Sequence, residues 1–512
     1  MMRTLLSYVG IAIGCGLALG VPGLGWACGG LFCDVVPPEP TVGVSPVDQD
    51  AELILFDIEG DSICATVQIR YVGEPQAFAW VVPVPEPPEV ADGDTDLLDR
   101  VVRRTRLQWL YPAPDPCVGG SSGCSMEVSE EDPGFAEFDP IAGPVAVFSR
   151  ERTESYETAV IGAEHADDLI RWLQTEGYGV APGMAPAMQP YVDEGMVFLA
   201  LRLRADRSAR SIAPIKFCYH GAAPAIPLRL TAVAARPQMG IHVLVAAHTI
   251  FGPLGAEGAA PRATELAYAF SGRVSYFAWV ARRAAQAQGK FWSLEFSGPS
   301  ISGLRGPWLS SWYTRLSPQD MTADPVFVAQ PERPAFNGQV DLSALPAVAA
   351  CFNEPVPERA PPQCAFLYCG VGARCVDHGD QAACVCPEGD VAVPVTSPDG
   401  FAQAVCAPEH NPLAIEAGDP CAGFNCGLGT CVNRGGFAAC RCDEGTAAFG
   451  DPEVGVVCRG RRGYVARGEG SGPETKNPAA PGAGGVDAGA GLLGLTVLAL
   501  AVRRRKPRLP VA

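Results

Sequence analysis

Apolar residues predominate along residues 51–60, and apolar and polar residues alternate along residues 61–73. The two patterns predict adjacent β-strands. The chain turns between them at Gly60–Asp61, a pair that favours a tight turn. In the second strand, alternate apolar side chains from Ile63 to Tyr71 fall on one face. The pattern therefore predicts a hairpin with one buried face.

Two segments show the three-to-four-residue apolar spacing of an amphipathic helix. Residues 94–109 begin with an Asp/Thr cap. Residues 164–177 end at Gly177, a residue type that terminates helices. The apolar stripe of the first helix comprises Leu98, Val102, Thr105 and Trp109.

The rest of the body reads as short strands with few helices. We expect further strands at residues 75–85, 144–161, 195–205, 213–220, 226–236, 239–250 and 291–296, and a helix at residues 273–289. Regular βαβ alternation is missing from this order, which argues against a doubly wound nucleotide-binding fold. The predicted fold class is α+β, with a mixed, largely antiparallel, β-rich body at residues 28–350.

The N-terminus has the pattern of a secretory signal peptide. Residues 1–27 place Arg3 before an apolar run, and small residues precede a cut after Ala27. Lipoprotein processing at Cys28 is the alternative, although Gly25 and Trp26 fit a lipobox badly. We therefore expect export, with Cys28 as the first residue of the mature chain.

The C-terminus has the pattern of a membrane anchor. Residues 459–487 form a Gly- and Pro-rich flexible linker, residues 488–502 are continuously apolar, and the basic tail at residues 503–512 should remain cytoplasmic. The apolar run is short for a transmembrane helix. The tail resembles the C-terminal sorting tails of Gram-negative and myxobacterial surface proteins, which are cut near Gly-Gly or Cys motifs. Gly484–Gly485 matches the Gly-Gly form, so removal of the tail stays open.

Charge and cysteine content limit the class of protein. The net charge of −18 repels nucleic acid, so we expect no nucleic-acid partner. Twenty cysteines are far more than a cytosolic enzyme usually contains, and they indicate disulfides in an oxidising compartment.

Twelve of these cysteines form an internal repeat of about 57 residues. The first copy spans residues 364–406 and the second spans residues 421–458, and each contains a Cys-x-Cys-x-x-Gly segment. The spacing lacks the Cys-x2-Cys pairs of zinc ribbons, so zinc is not expected. Both copies resemble the EGF-like module, in which disulfides replace a hydrophobic core.

The EGF-like resemblance implies first–third, second–fourth and fifth–sixth pairing within each copy. Carried over to this chain, the implied disulfides are Cys364–Cys375, Cys369–Cys384, Cys386–Cys406, Cys421–Cys431, Cys426–Cys440 and Cys442–Cys458. Some EGF-like modules also bind calcium, and Asn433 stands at one position of that pattern. The acidic residues that complete the pattern are missing, so Asn433 is a weak candidate and no metal or cofactor is expected.

Seven cysteines remain outside the repeat after the signal peptide. Cys117–Cys124 is expected to close a Gly/Ser loop, Cys28 is expected to pair with Cys33, and Cys64 is expected to pair with Cys218. Because seven is odd, one thiol such as Cys351 stays unpaired, unless Cys28 is lipidated.

Candidate catalytic motifs have simpler explanations. Residues 119–123 match Gly-x-Ser-x-Gly but lie in the Cys117–Cys124 loop, without the strand and helix of a nucleophile elbow. Residues 92–96 begin like a calcium loop but suit a helix cap. His242 and His248 lie about 20 Å apart on one predicted strand, which prevents a shared metal. His220 beside Cys218 is expected to be a surface residue. We therefore identify no catalytic residue.

Five phrases resemble a bacterial family, domain of unknown function 2330, over about residues 25–340. They are "ACGGLFC", "SPVDQDAELILF", "FAWVVPVP", "MGIHVLV" and "YTRLSPQDMTADPVF". The resemblance implies an exported envelope protein and no particular activity. We expect a non-enzymatic, membrane-tethered surface protein that serves adhesion or ligand binding, with the EGF-like modules as spacer or contact units. The alternatives are an envelope hydrolase whose site forms only in the fold, and a purely structural envelope component.

Overall fold

A computed structural model describes twelve stretches of the chain. They are residues 31–32, 48–72, 79–110, 145–178, 184–204, 214–267, 274–342, 363–378, 381–410, 419–434, 437–452 and 454–460. All of them fall in one compact unit that ends at Tyr464.

Residues up to 342 form a head of seventeen described strands and five described α-helices. The strands are β1 (Leu31–Phe32), β2 (Asp48–Glu59), β3 (Ser62–Val72), β4 (Ala79–Val84), β5 (Glu89–Asp92), β6 (Gln108–Leu110), β7 (Ala146–Arg152), β8 (Tyr156–Gly162), β9 (Val197–Leu203), β10 (Ile215–His220), β11 (Ala235–Ala247), β12 (Phe251–Pro253), β13 (Glu257–Ala259), β14 (Phe291–Pro299), β15 (Trp308–Leu316), β16 (Phe327–Ala329) and β17 (Gln339–Asp341). The helices are α1 (Thr95–Thr105), α2 (Ala166–Thr175), α3 (Met184–Asp193), α4 (Leu228–Thr231) and α5 (Tyr276–Gln286).

An eight-stranded sheet with the order β13-β14-β15-β11-β2-β3-β10-β5 is the centre of the head. The predicted hairpin of β2 and β3 lies within it, and the two strands pair in antiparallel fashion. β2 also pairs with β11 in parallel, although the two strands are far apart in the sequence. Most of the other neighbours are antiparallel, so the sheet is mixed and largely antiparallel, as the sequence predicts.

A second, five-stranded sheet with the order β1-β4-β9-β8-β7 packs face to face on the first. Alternate residues of β2 and β11, such as Phe56 and Val243, meet alternate residues of β4 and β9, such as Trp80 and Leu199, in one buried cluster. Each strand therefore points every second side chain into the core between the sheets.

Helices cover the outer faces of the two sheets. Leu98 and Val101 of α1 pack against Leu55 and Leu244 of the large sheet. α5 packs on the same sheet near β14 and β15. α2 and α3 cover the outer face of the five-stranded sheet. The head is thus a sandwich with helices on both outer sides.

The helix ends show local chemistry that the sequence indicates. Asp94 is the N-cap of α1 and accepts a hydrogen bond from the Leu97 N–H at 2.9 Å, which confirms a helix cap within residues 92–96. Asp92 instead lies in β5 and accepts hydrogen bonds from Thr153 and Glu154. After α2, Gly177 has a φ of +85°, a conformation that favours glycine, and the helix ends as predicted.

Several predicted elements were wrong in detail. The helix predicted at residues 94–109 ends at Thr105, because Trp109 lies in β6 and pairs with Val340 of β17. The strand predicted at residues 226–236 is instead the short helix α4 followed by the start of β11. The sequence reading also missed β15 and α3, which continues through Pro190.

The two cysteine-rich repeats, residues 363–410 and 419–460, each contribute two hairpins. Their strands are β18 (Arg374–His378), β19 (Gln381–Val385), β20 (Asp390–Thr396), β21 (Ala402–Pro408), β22 (Gly429–Asn433), β23 (Ala438–Cys442), β24 (Thr446–Asp451) and β25 (Gly455–Gly460). They form two antiparallel sheets, β18-β19-β24-β25 and β21-β20-β23-β22, and each of these sheets takes one hairpin from each repeat.

The repeats are related by an approximate twofold axis. Cys384 of the first repeat pairs with Ala448 of the second, and Ala392 of the first pairs with Cys440 of the second. Cys440 is the sequence equivalent of Cys384, and Ala448 is the equivalent of Ala392. The same pair of equivalent positions therefore meets twice, once with each repeat supplying the cysteine, as in an isologous dimer.

Seven disulfides occur in the described part of the chain. They are Cys64–Cys218, Cys364–Cys375, Cys369–Cys384, Cys386–Cys406, Cys421–Cys431, Cys426–Cys440 and Cys442–Cys458. The six in the repeats have the first–third, second–fourth and fifth–sixth pattern. Each repeat is thus closed by its own cysteines, and the contacts between repeats are non-covalent.

Several predictions lie outside the described residues. They concern the signal peptide at 1–27, the disulfides Cys28–Cys33 and Cys117–Cys124, the thiol of Cys351, most of the linker at 459–487, the apolar run at 488–502 and the basic tail at 503–512. The first two residues of the predicted linker, 459 and 460, instead belong to β25. Within the described stretches, no helix is long and apolar enough to cross a membrane.

Candidate functional site

A cluster of polar side chains lies under α5 on the outer face of the large sheet. His242 comes from β11, Ser311 from β15, Glu295 from β14 and Tyr276 from the first turn of α5. The pairing of β14 with β15 is interrupted between Leu294 and Phe296, so that Glu295 is the extra residue of a β-bulge. The bulge places a carboxylate where an apolar side chain of a regular strand would pack.

Hydrogen bonds join the four side chains. The Ser311 Oγ lies 2.7 Å from the His242 Nε2, and the Glu295 Oε2 lies 3.2 Å from the same nitrogen. The Tyr276 hydroxyl donates to the Glu295 Oε1 at 2.7 Å. Burial, together with the Glu295 carboxylate, holds the pKa of Tyr276 well above its usual value, so the phenol stays a donor.

The geometry limits what this cluster can do chemically. In a Ser-His-acid triad the serine and the acid contact different ring nitrogens, so that a proton can pass through the imidazole. Here Ser311 and Glu295 contact the same nitrogen, and Ser311 is fully buried. The cluster therefore fixes His242 as a partly buried partner of Glu295, and it does not present an exposed serine nucleophile.

The other candidates from the sequence lie apart from this cluster. His248 follows β11, and the centre of its ring lies 5.7 Å from the centre of the Phe251 ring. The His220 Nδ1 lies 2.8 Å from the Glu86 Oε1 on the exposed surface, and Cys218 is bonded to Cys64. Asn433 is the last residue of β22. Among the described residues, no group of three or more His, Cys, Asp or Glu side chains could hold a metal ion.

Glu52 is a second unusual group, and the sequence reading did not single it out. It lies on β2, directly opposite Ile241 of β11, on the face that packs against the second sheet. Only 4% of its surface is exposed, and burial raises the pKa of its carboxyl to about 8. The sequence does contain a signal for this group, because Glu52 is the one acidic residue in the apolar segment "AELILF".

The repeats are held to the head at a bulge in β11. Gln238 has a φ of 58°, unusual for a residue other than glycine, and its side-chain amide donates to the Tyr368 carbonyl of the first repeat at 2.5 Å. The Gln238 N–H donates to the Ser317 Oγ at 3.1 Å, and its carbonyl accepts from the Arg315 Nε at 3.0 Å. These contacts hold the strained backbone in place.

Two arginines extend this junction. Arg282 of α5 donates to the Ala365 carbonyl of the first repeat at 3.2 Å. The guanidinium of Arg236 lies 5.9 Å from the ring centre of Phe437 in the second repeat, and burial lowers the pKa of Arg236 to about 10. The head therefore contacts both repeats.

A narrow cleft follows the junction between the head and the first repeat. Ser275 and Phe277 of the head and Tyr368 and Asp399 of the repeat are among its lining residues. The space is about the size of one water molecule, too small for an organic ligand.

Two packed sheets with one disulfide and two repeats with six more define this molecule as a β-sandwich protein with a cysteine-rich appendage. The chain matches the family described as "Uncharacterized protein conserved in bacteria (DUF2330)" over residues 26–298, which is more than half of its length. The chain belongs to that family. No curated protein and no solved structure matches it. The match ends within β14, so both repeats lie outside it.

Proposed function

We propose that this chain is an exported, membrane-tethered protein of the bacterial cell envelope that binds a protein or surface ligand without catalysing a reaction. The observation that supports this most is the docking of two disulfide-bonded repeats onto the sandwich head. The repeats would be EGF-like modules, and the apolar C-terminal segment would be the membrane anchor or a sorting tail. The molecular ligand is a component of a cell surface.

The disulfides favour a location outside the cytoplasm. Bonds such as Cys369–Cys384 form and persist in oxidising compartments, and small modules depend on them because they bury little apolar surface. The signal-peptide pattern at residues 1–27 agrees with such a location.

The packing of the repeats favours a contact unit over a spacer. A spacer would hold its modules end to end, whereas here hairpins of both repeats share sheets, and both repeats contact the head through Arg236, Gln238 and Arg282. A rigid surface of this kind loses little conformational entropy when it binds a partner.

Affinity capture tests the proposal. The purified full chain is immobilised and exposed to cell-surface fractions, with a reduced and alkylated sample of the same chain as the control. We expect a component that the oxidised chain retains and the reduced chain releases, because the contact unit depends on its disulfides. Equal retention by both samples, or none by either, would contradict the proposal.

The alternative function, an envelope hydrolase, has one observation in its favour, the 2.7 Å contact between Ser311 and His242. Burial of Ser311 and the shared nitrogen speak against it. Turnover of a panel of ester, amide and glycoside substrates by the natural chain, lost in His242→Ala, would establish the hydrolase in place of the binding protein.

A further inference from the structure

The disulfide between Cys64 and Cys218 differs from the other six in its surroundings. The two residues are directly opposite each other on the neighbouring strands β3 and β10, inside the large sheet. The bond therefore crosses a strand pair that backbone hydrogen bonds already hold together. The repeat disulfides connect loops and strands within small modules.

The spacing of this pair is unusually short. The Cα atoms of Cys64 and Cys218 are 4.1 Å apart, whereas the six repeat disulfides span 5.3 to 5.8 Å. Disulfides usually span roughly 4.4 to 6.8 Å, and even the closer type of antiparallel residue pair has Cα atoms about 4.5 Å apart. The bond thus draws the two strands together, and a disulfide outside its usual Cα spacing is more easily reduced.

The bond is also reachable from solvent. Cys218 is half-buried, and Lys216 and His220, which share its face of β10, are exposed. The inward residues of the same strand, such as Phe217, pack in the core between the sheets. A reductant can therefore approach Cys218 from the outer face.

The charges around Cys218 have both signs. Glu89 of β5 is directly opposite Cys218, and Asp57 of β2 is directly opposite Cys64. Lys216 supplies a cation on the same face of β10, and Arg305 pairs with Asp57. The hydrogen-bonded Glu86 carboxylate raises the pKa of His220 on that face. Cations near a cysteine favour its thiolate and carboxylates oppose it, so the case for exchange at this bond depends on its Cα spacing and its access to solvent.

We propose that Cys64–Cys218 is a thiol–disulfide exchange site, opened by a dithiol reductant while the six repeat disulfides remain closed. A thiolate of the reductant attacks the Cys218 Sγ and forms a mixed disulfide, and the Cys64 Sγ leaves as a thiolate that takes up a proton. The second thiol of the reductant then loses its proton and attacks the mixed disulfide. Cys218 leaves as a thiolate and is protonated in turn. Two electrons pass from the dithiol, which becomes a disulfide.

Opening the bond has a structural consequence. β10 and β5 form one end of the large sheet, in the order β2-β3-β10-β5. Without the bond, only backbone hydrogen bonds and packing hold this end to β3. Reduction therefore loosens the end of the head that contains Ile215–His220 and Glu89–Asp92.

Equilibration of the full chain with mixtures of reduced and oxidised dithiothreitol tests the proposal. After an acid quench, free thiols are alkylated and assigned by peptide mass spectrometry. Cys364–Cys375 and Cys421–Cys431 are the matched controls, because their cysteines are partly exposed, as Cys218 is, but have ordinary Cα spacings of 5.8 and 5.7 Å. Equilibrium populations separate bond strain from differences in access.

We expect half-reduction of Cys64–Cys218 at a ratio of reduced to oxidised dithiol at least about tenfold lower than for either control. At that ratio, hydrogen exchange should rise in residues 215–220 and 89–92 and stay unchanged in the repeats. Simultaneous or later reduction of Cys64–Cys218 would overturn the proposal. Free Cys64 and Cys218 thiols in the untreated chain, or no change of exchange in residues 215–220, would overturn it as well.

Discussion

The substitution Glu52→Gln removes an ionisable group from the core between the two sheets while it keeps the shape of the side chain. Burial raises the pKa of the Glu52 carboxyl from 4.5 to about 8, so the native state keeps its proton where the unfolded chain has lost it. Between these two pH values the native state binds more protons than the unfolded state. The contribution of Glu52 to stability therefore falls as the pH rises.

The size of the effect follows from the two pKa values. A difference of one pKa unit corresponds to about 1.4 kcal/mol, so the shift of Glu52 from 4.5 to about 8 lowers the free energy of unfolding by about 5 kcal/mol in total. The loss begins near pH 4.5 and is complete above about pH 8. Glutamine does not titrate, so the variant lacks this loss and gains relative stability as the pH rises.

Urea unfolding followed by tryptophan fluorescence, from about pH 5 to about pH 9, measures this difference. Glu59→Gln is the matched control, because Glu59 lies on the same strand β2 and is exposed. We expect the difference between Glu52→Gln and the natural chain to grow with pH and the control to stay flat. If the difference in unfolding free energy between Glu52→Gln and the natural chain does not change with pH, the prediction is wrong, because Glu52 then ionises normally in the native state.

Three further predictions concern the disulfide, the junction and the polar cluster. Because Cys64–Cys218 closes a loop of 154 residues, the double variant Cys64→Ala/Cys218→Ala should lower the free energy of unfolding by up to about 5 kcal/mol in a denaturant titration, and an unchanged midpoint would contradict this. Arg282→Ala removes the charge-assisted hydrogen bond to the first repeat and should lower the local free energy of opening at residues 363–366 by about 1.5–3 kcal/mol. Hydrogen exchange in these residues should therefore become faster. Unchanged protection there would show that the contact does not hold the repeat. His242→Ala leaves the Glu295 carboxylate without its imidazole partner and should cost about 1–3 kcal/mol in thermal unfolding, whereas a neutral effect would mean that water replaces the ring.

The parts of the structure that the sequence predicts best are those with local determinants. The hairpin of β2 and β3 follows from two apolar-rich segments on either side of Gly60–Asp61, and the start of α1 follows from Asp94. In the repeats, the cysteine spacing resembles the EGF-like module closely enough to imply a pairing pattern.

The parts that the sequence does not predict depend on distant partners. Trp109 fits the helical stripe of α1 by spacing, but its contact with Val340 of β17 takes it into a strand. The parallel pairing of β2 with β11 has no local signal, because the two strands meet only in the fold. Tertiary contacts of this kind override local propensity.

The candidate cluster was partly visible in the sequence. His242 could be named, but its partners Glu295 and Ser311 could not, because a β-bulge and a strand pairing bring them together. Likewise, the arrangement of the two repeats about a twofold axis depends on contacts between Cys384 and Ala448 that no spacing within one repeat predicts.

Binding to the cell surface can be measured by a titration of fluorescently labelled full chain onto intact cells and their envelope fractions. We expect saturable binding that excess unlabelled chain displaces and that reduction of the repeat disulfides abolishes. Binding that rises linearly without saturation, together with substrate turnover that disappears in His242→Ala, would contradict it.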